Sequence, residues 1–186
     1  KRKDIESHKD IRNIDSDEYH IGGASFGATV AFEIARQLES YHKNVTTLAL
    51  FDGWTQYPTS LMQENTINIL SYSDHSRVFS ENQSKDLISM EEYRKSLLMN
   101  YKIPTITSNI HLFKARTLWQ PFVEVDSPTN GWHKFVNGEL VVHNVPGDHE
   151  SMLFEPNVTV IADILLGNKD HFTPKSNRML VMNDEI

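Results

Sequence analysis

The stretch YHIGGASFGATVAFEIARQL at residues 19–38, followed by VTTLALFD at 45–52, limits the possible folds more than any other part of the chain. A β-like run breaks at Gly23, a lone serine stands between two glycines, and a helical period then begins. Val30, Ala31, Ile34, Ala35 and Leu38 recur at spacings of one, three and four, which predicts one apolar face on a helix from Phe26 to about Glu39. The next run is rich in β-formers and loses its polar alternation toward the end, as in a strand buried on both faces. Strand, helix and strand in succession make a βαβ unit, and such units build parallel sheets covered by helices. The fold class is therefore α/β.

The remainder of the chain extends that pattern around one insertion. Residues 1–18 are polar and read as a lead-in, 19–166 as the domain, and 167–186, which lack a period, as a tail. Between 60 and 103 the sequence turns helical, in LMQENTINILSY and SKDLISMEEYRKSLLMNY. Strands are predicted again at 108–117 and 138–145, and PNVTVIADILL at 156–166 predicts a closing helix with proline in its first turn. With 39% hydrophobic and 23% charged residues, 186 residues can bury an ordinary core. The net charge of −7 argues against a nucleic-acid surface. The absence of cysteine removes disulfides, thiolate metal sites and a cysteine nucleophile. No metal is expected, and no window reaches membrane-spanning length. The basic start lacks an apolar run behind it, so no secretory signal is read and a cytoplasmic location is expected.

Gly23-Ala24-Ser25-Phe26-Gly27 fits G-x-S-x-G, the pattern of a serine thrust out at a sharp turn between strand and helix. Its neighbours must be small so that the two elements can approach, and the first helical N–H groups, beginning with Phe26, point where an oxyanion would develop. The plain alternative is a glycine-flanked turn without chemistry. A serine nucleophile needs a base and a carboxylate to orient that base. Of nine histidines, His149 alone follows a predicted strand through a Pro-Gly-Asp turn, at the carboxyl edge where open α/β sheets place their ligands. Its other reading is a turn histidine capping the next helix. Asp52 ends the strand after the elbow helix on that same rim, or else serves as a helix amino-terminal cap. Asp148 adjoins the histidine too closely to reach round the ring, and Asp126 has no strand end behind it.

These blocks resemble the thioesterase domains of non-ribosomal peptide, polyketide and fatty acid synthases. The likeness runs over about residues 18–166 through the elbow helix, LALFDGW, LFKAR, NGWHKF, VVHNVPGDHESML and PNVTVIADIL. It implies an α/β-hydrolase fold, with a mostly parallel sheet, helices on both faces and a helical lid at about 60–103. It also implies Ser25 as nucleophile, His149 as base, Asp52 as acid and the Phe26 N–H as oxyanion donor. LFKARTLWQP offers no aspartate, so the acid role falls to Asp52. The implied substrate is an acyl or peptidyl chain on the phosphopantetheine arm of a carrier protein, with no cofactor bound by the domain itself. Trp54, Met62, Leu97, Phe113 and Trp119 are candidate pocket walls or core residues.

Only 24 residues precede Ser25, whereas the family carries several strands before its elbow. A second oxyanion donor comes from a loop after such a strand, and losing one donor costs about 3 kcal/mol of transition-state stabilisation. The expectation is a fragment of a longer polypeptide, a half completed by another chain, or a reduced domain with impaired catalysis. Ala28 stands where a further glycine is often found. Two other functions stay open: a non-catalytic module that binds the carrier protein, and a related hydrolase of free esters.

Overall fold

The computed structural model describes residues 18–59, 61, 81–167 and 179–181. Strands β1 (Tyr19–Ala24), β2 (Val45–Phe51), β3 (Ile110–Ala115) and β4 (Leu140–Val145) lie side by side in that order and run parallel. Strand β5 (Met179–Val181) pairs antiparallel with β4. It falls in the stretch read as a tail without period. Three residues carry too little pattern to be recognised, and their pairing is set by the edge of β4 rather than by their own sequence.

Alternation along the strands divides the core between the two faces of the sheet. Leu48, Leu50, Leu112 and Val142 pack against helix α1 (Phe26–Ser40), through Ala28, Ala31, Phe32 and Ala35. On the other face Ala49, Phe113, Ala115 and Val145 meet Met152 and Ile161, the latter on helix α3 (Asn157–Leu166). Gly167, at φ 68°, ends α3 in the left-handed conformation common after helix ends. Helices thus cover both faces, as expected.

The apolar face of α1 differs from its expectation. Ala31, Ala35 and Leu38 are buried, but Val30 is 42% exposed and Ile34 only half-buried. The apolar set comprises two adjacent stripes, and the sheet takes one of them. Phe26, Val30 and Ile34, each four residues apart, form the other.

Helix α2 (Glu81–Asn100) occupies the latter part of the expected lid and starts three residues before the predicted piece. No side chain described on it, from Lys85 to Asn100, is buried. The other helical piece, except Leu61, lies outside the described residues, as do Met62 and residues 1–17. Among the described residues no helix is long and apolar enough to cross a membrane.

Candidate active site at the carboxyl rim of the sheet

The parallel register determines which residues meet at the rim. Ala24 pairs with Phe51, so Ser25 and Asp52 leave neighbouring strands at the same level. The ladder continues one step into both. The Ser25 N–H donates to the Phe51 carbonyl at 3.0 Å, and the Asp52 N–H to the Phe113 carbonyl at 2.7 Å. Each then turns sharply, Ser25 at φ 54° and Asp52 at φ 44°. Left-handed backbone costs a non-glycine residue about 1–3 kcal/mol, and such strain persists only where the surroundings enforce it.

Close approach of α1 to the sheet is part of that enforcement. A Cβ on Gly23 would lie 2.0 Å from the Gly27 carbonyl oxygen, so position 23 admits only glycine. Gly27 is different, because a Cβ there meets nothing within 4 Å. Crowding therefore explains the first glycine of the motif and not the second, contrary to the expectation that both must be small. A Cβ on Gly53 would lie 2.1 Å from the Ala28 Cβ, and this missing side chain makes room for alanine at position 28.

His149 reaches the rim on the turn after β4. Gly147 takes φ 91°, and the Asp148 carboxylate accepts from the Ser151 N–H at 2.8 Å and the Ser151 hydroxyl at 2.6 Å. These bonds hold the Asp148 carboxyl below its usual range. Asp148 thus caps the turn that carries the histidine, and Asp126 instead pairs with Lys114 at 2.6 Å. The His149 Nδ1 lies 2.8 Å from Asp52 Oδ2, and its Nε2 lies 3.0 Å from Ser25 Oγ. A carboxylate only accepts, so Nδ1 carries the hydrogen and Nε2 is left to accept from the serine hydroxyl.

Several groups not singled out from the sequence hold this arrangement. The Ala115 N–H donates to Asp52 Oδ1 at 3.2 Å, and the Asn130 amide reaches the same oxygen at 3.5 Å. Trp132, fully buried, donates its indole N–H to the Gly53 carbonyl at 2.9 Å, and the Asn130 amide donates to that carbonyl at 3.2 Å. The Asn130-Gly131 dipeptide is a turn signal in the sequence, and both residues have positive φ. What the turn supports became visible only in three dimensions.

A cavity of about 490 Å³ opens beside Ser25, within the range of small-molecule sites. Trp119 lines it and stacks on the His149 ring at 5.9 Å between centroids. Phe26, Leu98 and Phe122 supply further apolar wall. Burial raises the phenol of Tyr57, another lining residue, well above its ordinary value of 10.0. Helix α2 contributes Glu91 and Arg94, paired at 3.3 Å, with the guanidinium 6.0 Å from the centre of the Phe26 ring. Of the other candidate walls, Trp54 is in a core cluster with Leu61 and Phe122, and Phe113 lies under the sheet. Leu97 lines a neighbouring groove instead.

A model of the thioesterase domain family matches residues 9–166, most of the chain. The chain belongs to the thioesterase domain family. Among curated relatives, malpibaldin synthetase of Mortierella alpina is 29% identical over 143 residues, which are 72% of this chain and 3% of that protein. Chondramide synthase of Chondromyces crocatus is 24% identical, over 79% of this chain and 5% of its own. The thioesterase domain thus spans a very small part of each synthetase it matches. Its fold is that of the solved thioesterase domain that cyclises the lipopeptide antibiotic surfactin. That structure is 21% identical, with a TM-score of 0.60 over 82% of this chain and 67% of the other. The α/β-hydrolase architecture expected from the sequence is therefore the one observed. Two other solved neighbours are the Vlm2 and NocB thioesterase domains, with TM-scores of 0.58 each.

Proposed function

We propose that this domain releases an acyl or peptidyl chain from the phosphopantetheine thioester of a carrier protein, through an ester formed on Ser25. The observation that carries the reading is the unbroken series Asp52 Oδ2, His149 Nδ1, His149 Nε2, Ser25 Oγ, with contacts of 2.8 and 3.0 Å. Membership of the thioesterase family supports a thioester as the bond attacked. The synthetase relatives support a carrier protein as the partner that presents it.

In the first half-reaction the Ser25 hydroxyl proton moves to His149 Nε2 as Oγ bonds to the thioester carbonyl carbon. The resulting oxyanion faces the Phe26 N–H, at the first position of α1, where no earlier helical carbonyl can accept it. Collapse breaks the C–S bond, and the thiol leaves with the proton from Nε2. Asp52 stays ionised and keeps the Nδ1 hydrogen in place while the imidazolium exists. In the second half, water or a nucleophile within the chain itself gives its proton to Nε2 and attacks the ester carbon. Departure of Oγ returns that proton to Ser25 and frees the acid or the ring.

The test is labelling by a fluorophosphonate, together with turnover of a matched thioester and oxygen ester. The expected result is labelling of the folded protein that disappears in Ser25→Ala, with the thioester as the faster substrate. Carrier-protein binding without labelling or turnover overturns the reading in favour of an interaction module. Preference for the oxygen ester overturns the substrate class.

A further inference from the structure

The second apolar stripe of α1 does not meet the sheet, and α2 does not close over it. Between the two helices runs a groove of about 450 Å³, walled by Phe26, Val30 and Ile34 on one side and Leu97, Leu98 and Tyr101 on the other. Val30 is 42% and Leu97 41% exposed, so both leave in water an apolar surface that such residues normally bury. At its far end the Tyr101 hydroxyl donates to Glu33 at 2.7 Å, tying the chain just beyond α2 to α1. The Arg94 guanidinium over the Phe26 ring and the Tyr101–Glu33 bond thus link the two helices at either end of a groove that their own side chains do not fill.

This groove shares two walls with the cavity at Ser25. Phe26 and Leu98 line both spaces, one from the residue after the nucleophile and the other from the helix facing it. A chain esterified to Ser25 starts in the first space, and an apolar continuation that passes the Phe26–Leu98 pair enters the second. We infer that the groove between α1 and α2 is a second acyl subsite, which takes the distal apolar part of a long acyl chain. Phe26 and Leu98 form the partition that such a chain must pass. The inference rests on the acyl-enzyme reading of Ser25 and adds to it the substrate class, a long aliphatic acyl group. The Phe26–Leu98 wall shared with the Ser25 cavity selects this occupant over a partner helix or a second copy of the chain. An apolar groove of this kind gains from burying methylenes and offers few groups to a polar ligand.

Labelling rates of Ser25 with ethyl, octyl and hexadecyl fluorophosphonates separate the inference from the reading beneath it. The wild-type protein is expected to react with the hexadecyl reagent about tenfold or more faster than with the ethyl one, the effect of about two buried methylenes or more. Val30→Trp, which fills the groove from an exposed position, is expected to lower that hexadecyl-to-ethyl ratio by about tenfold. Phe26→Ala removes the partition side chain but keeps the backbone N–H, and is expected to raise the ratio. If no reagent labels the folded wild type, the acyl-enzyme reading and the subsite fall together. If the ethyl reagent labels and the ratio is the same in wild type and Val30→Trp, the subsite alone is overturned. An unchanged ratio with loss of a dimer in Val30→Trp overturns it in favour of a second copy in the groove.

Discussion

Asp52 is 5% exposed and held by the backbone of β3 as well as by His149, whereas α2, which faces the same cavity, buries none of its described side chains. The rim is fixed by ladder hydrogen bonds that run into Ser25 and Asp52, and by a buried indole beneath Gly53. The helix opposite meets α1 through the Arg94 guanidinium over the Phe26 ring and, just beyond its end, the Tyr101–Glu33 contact. Regions with few buried apolar contacts open locally at low free-energy cost. The difference separates two tasks within one cavity. The groups proposed to do chemistry are positioned before substrate arrives, and the wall proposed to meet the acyl chain is held by fewer buried contacts.

The largest expected effect lies on the rigid side. Asn replaces Asp52 with little steric change and tolerates the same positive φ, so Asp52→Asn keeps the turn and the Ala115 contact. It removes the charge that fixes the His149 tautomer, and turnover of a model thioester is expected to fall by about 10³–10⁴. Thermal stability is expected to change by less than about 1 kcal/mol, because the packing is kept. A loss of activity below about tenfold would show that Asp52 does not orient the base.

The same contrast explains what could be read from the sequence. Ser25, Asp52 and His149 follow strand ends, and strand ends in a parallel sheet share one rim, so a one-dimensional pattern located the three residues that meet. Asn130 lies in a turn and Trp132 opens a three-residue 3-10 helix, and only the fold shows that both donate to the carbonyl of Gly53. No period records such a contact. For α1, spacing alone could not separate the stripe packed on the sheet from the one at Val30 and Ile34, because both are apolar and adjacent. For α2 the residue pattern predicts a helix but not its cavity residues, and Leu98 rather than Leu97 lines the space beside Ser25.

A second experiment asks how much of the rim's rigidity passes through Trp132. Trp132→Phe keeps the aromatic contact with Phe32, now 5.0 Å between centroids, but removes the N–H to Gly53 and leaves a void. The Asn130 amide still donates to that carbonyl, which limits the loss. The expected cost is about 2 kcal/mol of stability, or roughly 4–8 °C in Tm by calorimetry. Turnover is expected to fall more than stability predicts, because Gly53 follows Asp52 directly. Wild-type turnover in a variant with the lowered Tm would show that the indole supports the core and not the site.

The smallest expected effect lies at the fastening of α2. Glu33 accepts from Arg36 at 2.7 and 2.8 Å, from Gln37 at 2.9 Å and from Tyr101 at 2.7 Å. The Arg36 contact, with help from Gln37 and Tyr101, lowers its pKa from 4.5 to about 2 against the opposing effect of burial. Because the folded value is the lower one, the unfolded chain binds more protons between these limits, and stability rises with pH across that window. The contribution is complete above 4.5 and lost as pH falls through about 2. Glu33→Gln cannot titrate, so the stability advantage of wild type over this variant is expected to shrink across that range in acid denaturation. Tyr101→Phe removes one donor from a partly exposed acceptor, and its cost is expected to stay near about 1 kcal/mol. Amide exchange at Leu98–Tyr101 is expected to accelerate in Tyr101→Phe while exchange in β2 and β3 is unchanged. Equal acceleration in the strands would mean that α2 and the rim unfold as one unit, and the contrast between them would then hold for structure but not for stability.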